Sequence, residues 1–264
     1  MHNIALRLSA VEKRIKQPAT VDVERDPLLF ASSLGFTLDP WQRKLLQSNA
    51  SRIILNVSRQ AGKSTVCALM AIHHVLTTNN AMVVVLSPSL RQSSLLFRKI
   101  MQFYRAADKP IRALVETTLQ LKLKNGSWIV ALPGNTAGTI RGFSSITLLL
   151  IDECAQISDE LYYSALPFLA TVTDSRLILL STPYGTRGAF FHEWTEGRNW
   201  LRIQVKATEC PRISEEFLNE QRERLGPWWF AQEYDTEFMA DTSSLFSEDA
   251  IRAAFDDSNE EWDL

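Results

Sequence analysis

The chain contains the segment Arg52-Ile53-Ile54-Leu55-Asn56-Val57-Ser58-Arg59-Gln60-Ala61-Gly62-Lys63-Ser64, and this segment decides the fold. Its first six residues are mostly β-branched or apolar, which predicts a short buried strand. Apolar residues recur at helical spacing from Lys63 to about Thr77. A Gly-Lys-Ser triplet that follows a strand and opens a helix is typical of a phosphate-binding loop.

The chemistry of such a loop follows from its backbone. Consecutive amides and the start of the helix form a positive concavity for phosphate groups. In this arrangement Lys63 reaches the β and γ phosphates, and the hydroxyl of Ser64 binds Mg²⁺. We therefore expect contacts to ATP from Ser58, Arg59, Gln60, Ala61, Gly62, Lys63, Ser64 and Thr65.

Two features distinguish this loop from the general pattern. The first glycine of the eight-residue consensus is replaced by Val57, so the loop must be wound differently. The loop also contains Arg59, which could stabilise charge on the phosphates from within the same chain. Alternatively, Arg59 points to solvent or ties the loop to a nearby carboxylate.

The rest of the chain alternates strands and helices, which predicts an α/β fold with a mostly parallel central sheet flanked by helices. Further apolar strands are expected at residues 81–86, 147–151, 177–180 and 201–206. Helices are expected at residues 90–105, after Ser158, after Ser214 and from Pro227. Alternating residues around Asn125-Gly126 predict a peripheral antiparallel β-hairpin formed by residues 117–123 and 128–132.

Two carboxylates follow the apolar strand that ends at Ile151. Ligands of α/β proteins bind at the carboxyl ends of the strands, and adjacent side chains on an extended chain point in different directions. Asp152 can therefore hold Mg²⁺ through water, while Glu153 points at the γ phosphate and orients or deprotonates the attacking water in catalysis. Two solvated acids at a strand end are the alternative.

The next core strand ends in Ser181-Thr182-Pro183. These hydroxyl groups are expected at the same edge of the sheet, where they could sense the γ phosphate and couple hydrolysis to movement. A hydroxyl-rich turn that ends at proline is also a common structural feature.

Two further sites are predicted away from these strands. Trp41-Gln42 precedes the loop by about twenty residues, and a glutamine beside an aromatic ring offers a donor and an acceptor to adenine. Trp41 could instead be a core residue of an amphipathic helix. Arg141 projects from the glycine-rich segment 134–142 and could act as an arginine finger in a neighbouring subunit. Contact with DNA or capping of a strand are the alternatives for Arg141.

Composition limits the class of protein. The 264 residues contain no apolar run long enough for a membrane helix and no signal-peptide pattern at the start, so we expect a soluble intracellular protein. Three cysteines far apart in sequence argue against a zinc site or disulfides, and we interpret them as packing residues.

Charge divides unevenly along the chain. Lys and Arg number 19 against 7 Asp and Glu up to Phe143, and 9 against 23 thereafter. A basic face for nucleic acid or for a neighbouring subunit would explain this polarity, and a solvated surface with an acidic tail would also explain it.

The three motifs together resemble the large terminase subunits of tailed phages. The resemblance lies in Ser58-Arg59-Gln60-Ala61-Gly62-Lys63-Ser64, Leu149-Leu150-Ile151-Asp152-Glu153 and Leu180-Ser181-Thr182-Pro183, and it extends from about residue 36 to 246. It implies a P-loop NTPase of the ASCE, RecA-like class that uses ATP and Mg²⁺. It also implies that Trp41-Gln42 is the adenine motif and that Arg141 acts in trans.

The same resemblance implies a biological setting. Subunits of the family form a ring on the portal protein of a procapsid and translocate double-stranded DNA, together with a small terminase subunit. We therefore expect the chain in the host-cell cytoplasm, transiently on the portal. The expected layout is a helical lead-in at 1–35, an ATPase domain at 36–250 and an acidic tail at 251–264 toward an absent nuclease domain, so that this chain has no nuclease activity.

Two other functions share some of these motifs. A superfamily-2 helicase-like translocase has the glutamine motif and the Asp-Glu strand end, but it needs a second motor domain, and only about eighty residues follow Pro183. A nucleotide-binding assembly module that does not hydrolyse ATP is expected to have a damaged catalytic site. In this chain, however, Lys63, Ser64, Asp152 and Glu153 are all present.

Overall fold

The computed structural model describes residues 23–134, 143 and 145–240. In this part of the chain, eight strands form one sheet with helices against both faces. The strands are β1 Arg52–Val57, β2 Met82–Ser87, β3 Ala113–Glu116, β4 Gln120–Leu123, β5 Trp128–Pro133, β6 Leu148–Asp152, β7 Arg176–Ser181 and β8 Leu201–Val205. The helices are α1 Pro27–Ser33, α2 Pro40–Gln47, α3 Lys63–Thr77, α4 Leu90–Ala106, α5 Asp159–Ala165, α6 Gly188–Thr195 and α7 Glu215–Glu233. The predicted α/β class is confirmed.

The order of the strands is β3-β4-β5-β2-β6-β7-β1-β8. All neighbours from β5 to β8 pair in parallel, as the alternation of strands and helices predicted. Strand β7 lies between β1, which precedes the phosphate loop, and β6, which ends in the two carboxylates. The loop, the carboxylates and the end of β7 therefore meet at one edge of the sheet.

The central strands are buried on both faces because each contributes alternate residues to two separate cores. Ile53 and Leu55 of β1 pack in the core formed with α3 and α4, whereas Ile54 between them packs in the core formed with α5 and α6. Strand β6 divides in the same way. This double coverage explains why these strands are almost entirely apolar, and it makes their carboxyl ends the natural place for polar side chains.

The predicted hairpin forms an antiparallel pair between β4 and β5, with Leu121 opposite Ile129. Its turn is closed by Asn125, whose side-chain amide donates to the carbonyl of Val75 at 2.8 Å. The hairpin lies at one end of the sheet, but it is more integral than we predicted. Strand β5 also pairs in parallel with β2 over six residues, so it continues the main sheet.

Two elements were not predicted. Strand β3 is a short, largely exposed edge strand with a register shift between Ala113 and Val115, so it has no alternating pattern. Helix α6 begins at Gly188 without a capping residue of its own. The amide of Ala189 instead donates to the Asp159 carboxylate at 2.6 Å, so the cap comes from another helix and has no local sequence signal.

The C-terminal helix is interrupted as predicted. Ser214 caps its start by accepting from the amide of Phe217, and Gly226 has a non-helical backbone immediately before Pro227. All three cysteines are free and buried, which agrees with a packing role. No helix in the described ranges is both long and apolar enough to cross a membrane. The predicted domain boundaries stay predictions, and the acidic tail lies outside the described residues.

Candidate active site

The phosphate loop joins β1 to α3 through a tight turn. Gln60 and Gly62 both have left-handed backbones, with φ of 64° and 95°. A side chain at position 62 would also place a Cβ 2.9 Å from Nε2 of Gln42, so glycine is required there by conformation and by space. The loop thus forms this turn although position 57 is a valine and not a glycine.

Lys63 lies buried at the start of α3, with 7% of its side chain exposed. Its ammonium group donates to the carbonyl of Val57 at 3.0 Å and to Thr182 Oγ1 at 2.7 Å, and it lies 3.9 Å from Glu153 Oε1. Burial lowers the pKa of Lys63, and the charges of Glu153 and Asp152 oppose this effect. The lysine therefore links all three motifs predicted from the sequence.

The two carboxylates point in different directions because the backbone turns between them. Asp152 ends β6 and is 5% exposed, whereas Glu153 has a left-handed backbone with φ of 50° and a partly exposed side chain that lines the cavity. Burial, and then the neighbouring charge of Glu153, raise the pKa of Asp152 to about 6. The pair thus combines one buried carboxylate with one that faces the space above the loop.

The oxygens at this edge fit a hard divalent cation. Oδ1 of Asp152 is buried and has no hydrogen-bond partner, and a cavity of about 350 Å³ is lined by Ser64, Asp152 and Glu153. Mg²⁺ prefers oxygen ligands and is bound by one or two carboxylates together with phosphate oxygens. The residues present thus fit Mg²⁺, and the role of Ser64 and Asp152 as its ligands stays a prediction.

The end of β7 contacts both neighbours of that strand in the sheet. Ser181 Oγ accepts a hydrogen bond at 3.1 Å from the amide of Ala155, in the turn that follows Glu153. Thr182 Oγ1 accepts from Lys63 and donates to the carbonyl of Val57 at 3.2 Å. This geometry connects the predicted coupling residues to the turn after Glu153 and to the phosphate loop.

A cavity of about 520 Å³ lies over the loop and contains most of the predicted ATP contacts. The predicted residues in its lining are Ser58, Arg59, Gln60, Gly62, Lys63, Ser64, Thr65 and Glu153, whereas the predicted contact Ala61 is fully buried. Four residues that we did not predict complete the lining: Gln92, Lys99, Gln156 and Arg212.

The predicted adenine motif lies in α2, beside the loop. Trp41 packs in the hydrophobic core, which is the alternative that the sequence left open for this ring. Gln42 is 1% exposed, and its Oε1 accepts from the amide of Asp39 at 3.0 Å. Its Nε2 faces Gly62, so the glutamine is adjacent to the phosphate loop.

Arg59 forms an ion pair with Glu233 near the end of α7, and its amide donates to the carbonyl of Glu233 at 3.2 Å. The arginine side chain is 61% exposed. This pairing with a carboxylate is one of the alternatives that the sequence left open, and the role of Arg59 at the phosphates stays a prediction. Arg141 lies outside the described residues.

A sequence model for the N-terminal part of the terminase large subunit, of the T4-like virus type, matches residues 54–253 of the chain. The match covers well over half of the chain and includes the phosphate loop, both carboxylates and Ser181-Thr182. The chain belongs to the terminase large subunit family. The resemblance inferred from the three motifs is thereby confirmed.

Solved terminases share the fold. The ATPase domain of the large terminase of Thermus phage P74-26 is 19% identical, with a TM-score of 0.71 over 80% of this chain and 98% of that one. The large terminase of bacteriophage HK97 is 16% identical, with a TM-score of 0.66 over 77% of this chain and 51% of that one. A large terminase of a thermophilic bacteriophage in complex with ADP is 16% identical, with a TM-score of 0.60 over 80% of this chain and 52% of that one. This terminase chain thus spans about half the length of the larger proteins.

The unpredicted lining residues of this terminase chain have weak sequence signals. Gln92 and Lys99 lie two helical turns apart on α4, and helical periodicity could have placed them on one face but not over the loop. Arg212 lies far from the motifs in sequence and belongs to no pattern. Only the tertiary structure brings it to the loop.

The buried Asp152 gives a prediction about stability. Its pKa rises from 3.8 to about 6 on folding, so the folded state holds the proton more tightly and stability falls as pH rises between these values. Without divalent cation or nucleotide, Asp152→Asn should raise the free energy of unfolding at pH 8 by about 1 to 3 kcal/mol. The gain should disappear near pH 3.5, where the carboxyl is protonated in both states.

Urea unfolding in EDTA across this pH range measures the effect. Asp174→Asn is a suitable control, because Asp174 is exposed in a turn before β7. A destabilised Asp152→Asn protein at pH 8 would contradict the assignment of an unfavourable buried charge.

Proposed function

We propose that this chain hydrolyses ATP with Mg²⁺ as the motor of a DNA-packaging terminase. Membership of the family assigns it to ATP-driven packaging of phage DNA. One observation supports the hydrolytic step most directly: Glu153 and Thr182 each lie within 4 Å of the ammonium group of Lys63, at the cavity over the phosphate loop. The similar large terminase in complex with ADP supports a nucleotide as the ligand.

The proposed reaction gives each of these residues a role. The amides of the loop and Lys63 bind the β and γ phosphates, and Glu153 accepts a proton from the attacking water. Ser64 and Asp152 hold Mg²⁺, which neutralises charge on the phosphate oxygens. The unpartnered Oδ1 of Asp152 and the partly exposed carboxylate of Glu153 support this division of roles.

Coupling is proposed to begin at Thr182. The hydroxyl of Thr182 accepts a hydrogen bond from the ammonium group of Lys63 at 2.7 Å. A γ phosphate that binds Lys63 would compete directly with this hydrogen bond. Ser181 is bonded to the turn behind Glu153, so the same strand end also contacts the catalytic base. Strand β7 can therefore respond to the presence of the γ phosphate.

The partners follow from the family and are part of the proposal. The motor would act on double-stranded DNA in a ring of subunits on the portal protein, with DNA delivered by the small terminase subunit. Arg141 would enter the active site of the neighbouring subunit in that ring. The intact set of Lys63, Asp152 and Glu153 supports a motor over a non-hydrolysing assembly module.

Glu153→Gln tests the catalytic base. We expect turnover to fall by about 10² to 10⁴, the usual contribution of general base catalysis, because glutamine cannot accept the proton. ATP affinity should remain near that of the parent chain, since Lys63 and the loop amides are unchanged. Steady-state hydrolysis and equilibrium binding of ATP measure the two quantities.

Glu160→Gln, in the exposed first turn of α5, is the matched control and should leave both quantities unchanged. A parent chain that binds ATP but never hydrolyses it, even when concentrated with DNA, would favour the assembly module.

Substitutions of Arg59 and of Glu233 should have opposite effects, the first a loss and the second a gain. If Arg59 acts on the phosphates, Arg59→Ala should lower turnover, whereas Glu233→Gln should release Arg59 and raise ATP affinity. The gain should be at most about fivefold, because a partly exposed ion pair contributes about 1 kcal/mol or less. Glu220→Gln, which breaks the exposed pair with Arg224 on the same helix, is the control. Equal losses in both variants would show that the pair only holds the loop in place.

Arg141 gives a test of subunit cooperation. If it acts in trans, hydrolysis per subunit should rise with protein concentration and with portal and DNA present, and Arg141→Ala should remove that rise while leaving ATP affinity near normal. An arginine finger contributes about 10³ to 10⁵ in rate in related phosphoryl-transfer enzymes. A loss of ATP binding in Arg141→Ala would instead place the residue in the active site of its own subunit.

A further inference from the structure

Arg212 connects two parts of the nucleotide site that are far apart in sequence. It lies in the loop between β8 and α7. Its guanidinium group forms a bidentate ion pair with Asp39, in which Nη1 donates to Oδ1 at 2.8 Å and Nη2 donates to Oδ2 at 2.7 Å. Nη2 also donates to the carbonyl of Ala61 in the phosphate loop at 3.2 Å. One side chain thus bridges the residue before α2 and the phosphate loop.

The Asp39 end of this bridge leads directly to Gln42. Asp39 is buried, and its amide donates to Oε1 of Gln42 at 3.0 Å. The position of Asp39 therefore fixes the orientation of the Gln42 side-chain amide. Because Arg212 binds both carboxylate oxygens of Asp39, it restrains that orientation through a planar, charge-assisted contact.

The Ala61 end of the bridge leads to the phosphates. Ala61 immediately precedes Gly62, and a Cβ at Gly62 would lie 2.9 Å from Gln42 Nε2 and 3.5 Å from Arg212 Nη2. The glutamine, the arginine and the loop glycine therefore meet at one point. Gln42 is therefore held directly against the phosphate loop.

Arg212 is also accessible to the nucleotide site itself. Its side chain is 50% exposed and lines the cavity over the loop with Lys63 and Glu153. A residue that served only to stabilise the fold would not need a position at this opening. A lysine could supply the charge but not the flat, forked geometry that contacts Asp39 and Ala61 together.

We propose that Arg212 is a positioning residue for nucleotide recognition, which holds Gln42 in register with the phosphate loop and thereby sets the preference for adenine over guanine nucleotides. The inference rests on the proposed ATP binding of this chain. It assigns to Arg212 an effect on base selection that is separable from phosphate binding.

Three probes separate these effects: ATP, GTP and inorganic tripolyphosphate, which has no base. Arg212→Lys should weaken ATP binding by about tenfold, as expected for loss of one charge-assisted hydrogen bond. GTP binding should weaken less, so that the ratio of ATP to GTP affinity falls. Binding of tripolyphosphate should stay near that of the parent chain, because the loop amides and Lys63 are unchanged.

Asp39→Asn should reproduce the loss of selectivity, since it removes the other half of the ion pair. The double variant should be little worse than the poorer single variant, because both changes disrupt one contact. Arg224→Lys, an exposed arginine paired with Glu220 on α7, is the matched control and should change none of the three affinities.

The outcomes are distinguishable. Equal weakening for all three probes would show that Arg212 only supports the loop, and this would overturn the inference, as would unchanged selectivity in both single variants. A parent chain that binds tripolyphosphate but shows no preference for ATP would also overturn it. A parent chain that binds none of the probes would contradict the proposed function itself.

Discussion

The site depends on one buried ammonium group. Lys63 lies at the start of α3 and contacts the carbonyl of Val57, the hydroxyl of Thr182 and, at 3.9 Å, the carboxylate of Glu153. A buried lysine without partners would lose its proton, and here burial does lower its pKa while the two carboxylates oppose the change. Because these contacts come from three strand ends, the lysine connects the phosphate loop, the carboxylate of Glu153 and the end of β7.

The order of the strands makes this arrangement possible. Strand β7 lies between β1 and β6, so Thr182 at its end is adjacent to the phosphate loop on one side and to the turn after Glu153 on the other. In the proposed function, a γ phosphate bound by Lys63 would thus lie over the end of the strand between them. The same arrangement leaves Asp152 buried with an unpartnered oxygen, which disfavours its charged form in the protein alone. The buried charge of Asp152 lowers the stability of the fold at the position where the proposed Mg²⁺ would bind.

The parts that could be predicted from sequence have local physical causes. Strand β1 and helix α3 follow from an apolar run, a glycine and helical periodicity, and the hairpin at Asn125-Gly126 follows from its turn chemistry. The carboxylates and Ser181-Thr182 could be placed together because parallel strands end at one edge. Helix α6 was missed because its cap is Asp159, and Arg212 was missed because its partners lie about 150 and 170 residues away in sequence. Such contacts depend on the folded chain and have no periodicity to reveal them.

The end of α7 connects this site to the last described residues. The carbonyl of Glu233 accepts from the amide of Arg59 at 3.2 Å, and Oε1 of Gln232 accepts from the amide of Gly185, beyond the coupling residues, at 3.4 Å. Three residues after Glu233, the carbonyl of Thr236 accepts a hydrogen bond from the side chain of Asn56 in β1 at 2.9 Å. These contacts come from the strand before the phosphate loop, from the loop itself and from the segment after β7. A shift of the phosphate loop relative to β7 would therefore act on this one short segment.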